Sequence, residues 1–393
     1  MPSFVPLGIA DYSGNSERGF VQFTYQIADN NAKELTLQIR DGSSVIFEEK
    51  ITDANKLKQG EHIWKWDGFD SGGILDTAKL TQYENLNLYT IGVDNSNNYS
   101  RKKLDFSMRY DEVKWVDVKI DKNSKRIDVT LRVNLKDGGA RGIECKEVIH
   151  RDHLNPGMRT SKEVCPWDKI PQKTLSDYGK IPIKSITKSF EDLEKLALEG
   201  LNYHWGRNRN HYIAKDVDID GEKYEVYVNA INTTQKTMDD VSLIFNTNNS
   251  WMRSGNPGTV EDPISYAGNI FSREAICYNV GYIKYSKKWA YQRIGNEDVQ
   301  FKDTSAHEIG HTILKAYGGT FYSYGHKGSV NTVFQFRKSS APRIPLEGEI
   351  DIMPYYRENE LGEWYNQPNY HKRRVASTKD VLSLIWLTKI KLK

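Results

Sequence analysis

Cysteine, long apolar runs and a one-sided charge are all scarce in this chain, and each scarcity removes a class of answer. Three cysteines occur in 393 residues. They stand at 145, 165 and 277, and none belongs to a Cys-x-x-Cys pair, so zinc-knuckle and thioredoxin-type spacings are excluded. No apolar stretch approaches the ~20 residues that a bilayer span requires, and no membrane span is expected. The opening Met-Pro-Ser-Phe-Val-Pro-Leu-Gly lacks the basic start and apolar stretch of a signal peptide. Action outside the cytoplasm would then need another route of export. The formal net charge is only +3. With no long Lys/Arg block, a nucleic-acid partner is not expected; Lys372-Arg373-Arg374 reads as a solvated loop.

Cys145 and Cys165 bracket a loop-rich segment and would pair in an oxidising compartment, or remain free thiols elsewhere. Cys277, in Ala-Ile-Cys-Tyr-Asn-Val, reads as a buried strand residue.

Hydrophobic residues make up 38% of the chain and charged residues 27%, enough apolar content for a packed core. Short strands with regular turn signals fill 1–110: stretches 20–27, 35–39, 44–51 and 86–93, with Trp64 and Trp66 on one strand face before a glycine-rich turn. That pattern predicts an all-β sandwich. Residues 113–135 predict a hairpin, because Ile127, Val129, Leu131, Val133 and Leu135 alternate in period two. The glycines and prolines of 136–182 predict a long excursion. His150 and His153 within it form a His-x-x-His pair with no third ligand beside it, and read as solvated surface. A helix follows around Phe190, Leu193, Ala197 and Leu201, with Thr187 or Ser189 as cap. Strands are expected at 223–231, 241–246 and 275–284, and a packed helix over 377–393.

The chemistry-bearing motif is His307-Glu308-Ile309-Gly310-His311. It lies in a segment predicted as a helix from about Asp303 to Tyr317, stopped at Gly318-Gly319. Asp303, Thr304 and Ser305 are candidate caps, and Ser305 with Glu308 fits a capping box, a structural use that competes for Glu308. On a helix, residues i and i+4 share one face, so His307 and His311 can aim ring nitrogens at one ion. Glu308 is one step round and can reach a zinc-bound water as general base. The third ligand is open among Glu347, Glu349, Asp351 and His326. The metzincin pattern would require Gly at 314 and His at 317, where Leu314 and Tyr317 stand. His326 follows a glycine-containing turn that could fold it back onto the helix. Asp351-Ile-Met-Pro-Tyr-Tyr resembles the methionine turn beneath the metal of metzincins, which implies that Met353 is an apolar floor; Tyr355 or Tyr356 is a candidate donor to an oxyanion.

The set His307-Glu-Ile-Gly-His311, Tyr317-Gly-Gly, Gly325-His-Lys-Gly and Gly348-Glu-Ile-Asp-Ile-Met-Pro-Tyr-Tyr resembles the zinc-metallopeptidase toxin domain fused to VgrG spike proteins of type VI secretion systems. The resemblance runs over about 113–393. Trp64-Lys-Trp-Asp-Gly-Phe-Asp-Ser-Gly-Gly is similar to the Ig-like module of flagellar hook-cap proteins. Together they imply an α+β fold, with an Ig-like β-sandwich (1–110) before a zincin-like metallopeptidase domain (111–393). They imply Zn2+ held by His307, His311 and Glu349, with Asp351 orienting an imidazole. They also imply hydrolysis of a peptide or protein substrate, which by β-addition is expected to lie along an edge strand in the 275–284 region. The implied setting is an antibacterial effector delivered to the target periplasm, with a carrier spike and a cognate immunity protein as partners. Two alternatives stand beside this expectation: a housekeeping or secreted zinc peptidase with a surface-binding sandwich, and a non-enzymatic β-sandwich binding protein.

Overall fold

The computed structural model describes residues 3–151, 157–179, 181–249, 254–255, 275–284, 288–290, 296–332, 336–357 and 369–393. Helix and strand are mixed, with strand in excess. Among the described residues no helix is long and apolar enough to cross a membrane.

In the first hundred residues, Ser44–Ile51, Ala32–Asp41, Leu86–Asp94 and Tyr99–Asp105 form an antiparallel sheet in that order, and Val21–Ile27 pairs with Gly60–Trp66. Alternation explains the packing: Val21, Phe23 and Tyr25 are buried between exposed neighbours, as are Trp64 and Trp66. The rings of Phe23, Phe47, Trp64 and Phe106 meet at centroid distances of 5.4–6.1 Å and join the two layers.

A second sheet runs in the order Val217–Ile219, Glu222–Asn232, Arg126–Arg141, Asp240–Asn249, Ala275–Lys284, Lys288–Ala290, with Val116–Asp121 as the hairpin partner of Arg126–Arg141. Its inner pairings are parallel. Parallel neighbours need a crossover, and the helix Phe190–His204 supplies one between Arg126–Arg141 and Glu222–Asn232. Ser189 caps that helix through a box with Asp192. Its Gly200 lies against the helix Glu297–Tyr324, where a Cβ would stand 2.3 Å from the Lys302 carbonyl oxygen. Only glycine permits that approach.

The segment 136–182 is more ordered than a loop. The long strand continues to Arg141, and Lys146–Arg151 pairs with Arg159–Val164 in a ribbon closed by a Cys145–Cys165 disulfide. Nearly every ribbon residue is exposed on either face, so there was no hydrophobic alternation to reveal it. His150 is exposed on this ribbon; His153 lies outside the described residues. The C-terminal helix is also shorter than expected. It spans Thr378–Trp386 and gives way to a strand, Ile390–Leu392, which lies between Ser3–Phe4 and Met108–Tyr110. Both ends of the chain thus meet in one small sheet, and one apolar core runs from Phe4 to Leu392.

Candidate metal centre

The motif helix begins at Glu297, six residues before the expected Asp303, and runs to Tyr324 with a break at Gly319 (φ 81°, ψ 172°). Asp303, Thr304 and Ser305 are therefore interior, and the capping box that competed for Glu308 does not form. Asp303 is buried and committed elsewhere. It accepts from His371 Nδ1 at 2.8 Å and lies 3.2 Å from Arg374 Nε. Burial alone would raise its pKa; Arg374 first, and then His371, hold it well below the usual carboxylate range. Beyond the break, the last turn of the helix brings Ser323 back toward His311.

Three imidazoles converge. His307, His311 and His326 are 7%, 1% and 3% exposed, and a ring nitrogen of each lies within 4.8 Å of the other two. His326 reaches the site from a tight turn after the helix, with His326 and Lys327 both in the left-handed region at φ 46° and 56°. Main-chain bonds from His326 N to Ser323 O (2.9 Å) and Lys327 N to Tyr322 O (3.0 Å) close that turn.

Each Nδ1 faces an oxygen. His307 Nδ1 lies 2.8 Å from the Ile352 carbonyl and His326 Nδ1 3.0 Å from the Tyr324 carbonyl. His311 Nδ1 lies 3.1 Å from Ser323 Oγ, whose own proton goes to the His311 carbonyl at 2.7 Å. These acceptors fix the proton on Nδ1 and leave the lone pair on each Nε2. His307 Nε2 and His311 Nε2 stand 3.2 Å apart. Two nitrogens at ~2.0–2.1 Å from one tetrahedral zinc would be ~3.3 Å apart, so the donor set fits such an ion. The trio is compatible with a metal site, and imidazoles suit zinc, copper, iron and nickel alike.

The floor of the site explains the residue between the histidines. A Cβ on Gly310 would stand 2.8 Å from Met353 Sδ and 2.9 Å from Trp205 Cζ2. Met353 and Trp205 are fully buried, and Trp205 Nε1 donates to the Ala306 carbonyl at 3.1 Å. Met353 thus lies beneath the motif turn, as an apolar floor would.

No family model, curated protein or solved structure matches the chain.

The acidic ligand candidates lie elsewhere. Glu349 pairs with Arg207, with Nη2 to Oε1 at 2.5 Å, and is not among the donors that converge on the imidazoles. Arg207 is itself buried and anchored to the Asp216 and Ala376 carbonyls, so it holds that carboxylate in place. Glu347 is exposed. Asp351 bonds to Lys327 and to Met353 N, while the carbonyl of its neighbour Ile352 holds the His307 imidazole. Burial, and then Asp380, push the Asp351 carboxyl above its ordinary range against the pull of Lys327. Arg374 Nη2 donates to the same Ile352 carbonyl at 2.8 Å, a contact that no local sequence signal announces. Glu308 is buried beside His307. The ring of Tyr355 stands 4.0 Å from that of His326 and 6.0 Å from that of His307. Tyr356 turns its hydroxyl to the Asp351 carbonyl at 3.0 Å. The strand expected to receive substrate has much of its outer edge taken: Gly255 N and Ser254 Oγ bond to Ala275 O and Cys277 N, and Lys288–Ala290 pairs with Tyr282–Lys284.

Proposed function

We propose that the chain is a zinc-dependent metallopeptidase whose metal is held by His307, His311 and His326. In this reading Glu308 is the general base and the fold is a zincin-like unit joined to an Ig-like sandwich. The observation that carries it is the convergence of a ring nitrogen from each of three buried imidazoles, each ring oriented by an oxygen at its Nδ1. A bound zinc would polarise a peptide carbonyl and lower the pKa of water. Glu308 then takes a proton and hands it to the leaving amine. Tyr355, packed beside His326 at the rim, is the candidate hydrogen-bond donor to the developing oxyanion. The bonded pair Cys145–Cys165 supports work in an oxidising compartment. It suits an antibacterial effector acting in a target periplasm, as the resemblance to secreted toxin peptidases implies.

The test joins metal analysis of the purified protein with peptide hydrolysis. About one zinc per chain is expected. Glu308→Gln should keep the zinc and lose at least ~100-fold in kcat, in line with general-base catalysis. His326→Ala should lose zinc, and Glu349→Ala should retain it. A protein that takes up no zinc, or a Glu308→Gln variant as active as the parent, would remove the proposal.

A further inference from the structure

Beside the imidazoles lies a buried charge cluster that the catalytic reading does not use. The Lys327 ammonium meets three acceptors: Asp351, Ser377 Oγ at 2.9 Å and Asp380 Oδ2 at 2.7 Å. Its side chain is 15% exposed and that of Asp380 0%. An ammonium has three protons to donate, so the three acceptors satisfy it in full. Burial works against its charge, and Asp380 with Asp351 more than offset this, leaving its pKa raised.

The three acceptors come from two separate segments, which the ammonium joins to its own turn. Lys327 follows His326 in a turn where two consecutive non-glycine residues hold left-handed backbone, a conformation that persists only under constraint from its surroundings. Asp351 precedes Ile352, whose carbonyl holds the His307 imidazole, and its Oδ1 accepts from Met353 N in the floor. Ser377 caps the helix Thr378–Trp386, and Asp380 sits in its first turn. One ammonium thus ties the strained turn carrying His326 to the segment that orients His307, and anchors both to the C-terminal helix.

We propose that Lys327 is a positioning residue that sets the angle between the His326 and His307 imidazoles. The inference rests on the metal reading above, and its test separates the two. Zinc affinity is measured by chelator competition and ligand geometry by the visible absorption of the cobalt(II)-substituted protein, in the full chain and its variants. Lys327→Met should bind zinc about 10- to 100-fold more weakly, the usual penalty for losing an outer contact of a metal site, and should shift the cobalt bands. Lys389→Met is the control: its side chain is also 15% exposed and pairs with Glu17 at 2.9 Å, on the same helix-and-strand unit. It should lower the melting temperature and leave both metal readouts unchanged. Should Lys327→Met fail to fold, Lys327→Arg keeps the charge but not the three-point geometry, and a smaller loss of affinity with altered cobalt bands is expected. A folded Lys327 variant with parental affinity and spectrum overturns the positioning role while leaving the metal centre standing. A parent chain that binds neither metal takes down both.

Discussion

His211 is a base whose basic nitrogen is already in use. Its Nδ1 accepts from Ile213 N at 3.1 Å and Ala214 N at 2.9 Å, and the buried ring stacks on Tyr203. A proton on that nitrogen would set N–H against N–H. Burial first, then repulsion from His204, push its pKa down to about 4 from 6.5. Above pH 6.5 the ring is neutral in folded and unfolded chains alike. As pH falls from 6.5 toward 4 the unfolded chain takes the proton first, and stability is lost over that window. The gap is worth roughly 3 kcal/mol. His211→Asn keeps an acceptor that does not titrate, so urea midpoints between pH 7 and 4 should fall less steeply in the variant; parallel curves would refute the assignment. Nothing around His211 in the sequence marks this role. The motif pair was readable because helical spacing alone sets His307 against His311. Which of Glu347, Glu349, Asp351 and His326 approaches that pair was not, because it depends on distant partners: Glu349 is paired with Arg207, 142 residues away in sequence, while a ring nitrogen of His326 lies near those of the motif histidines.

Elements show the same division between local and distant causes. The first part of the strand Arg126–Arg141, up to Leu135, and the helix Phe190–His204 were legible, since alternation and a Ser cap are written within a few residues. The start of the motif helix was misplaced. Asp303 looks like a cap, yet its carboxylate serves His371 and Arg374, about seventy positions downstream. The ribbon Lys146–Arg151 with Arg159–Val164 was hidden for a different reason: an element that buries neither face has no periodicity to read. Two exposed strands are marginal in water on their own, so the disulfide at the ribbon's base is what keeps it in register. Closing a loop of this length is worth about 3 kcal/mol in the unfolded-chain picture. Cys145→Ser should abolish amide-exchange protection in Lys146–Arg151 and Arg159–Val164 and leave that of Arg126–Arg141 intact. Ribbon amides as slow in the variant as in the parent would show that something other than the bond orders it.

At the scale of the molecule, the expected two units share more than a linker. Ser3–Phe4 pairs with Ile390 and Lys391, and the Phe4 ring sits against Gly68, where a Cβ would approach it to 3.1 Å. Further along the same arm, Tyr317 on the motif helix donates to the Ala10 carbonyl at 3.1 Å, and Tyr12 packs on Tyr317 and Tyr322 at 6.1 and 4.5 Å. The residue following Tyr322 is Ser323, which holds His311. The opening segment therefore packs against the helix that carries His307 and His311, and composition could not reveal it because the pairing joins segments almost 400 residues apart. Phe4 is the sharpest probe, being fully buried where the two halves meet. Phe4→Ala should cost about 3–5 kcal/mol, as a large core truncation does. If the halves unfold together, tryptophan fluorescence and loss of zinc should shift by the same amount along the denaturant axis. A variant in which fluorescence shifts early while release of the added zinc keeps its parental midpoint would show that the halves are energetically separate despite the shared sheet.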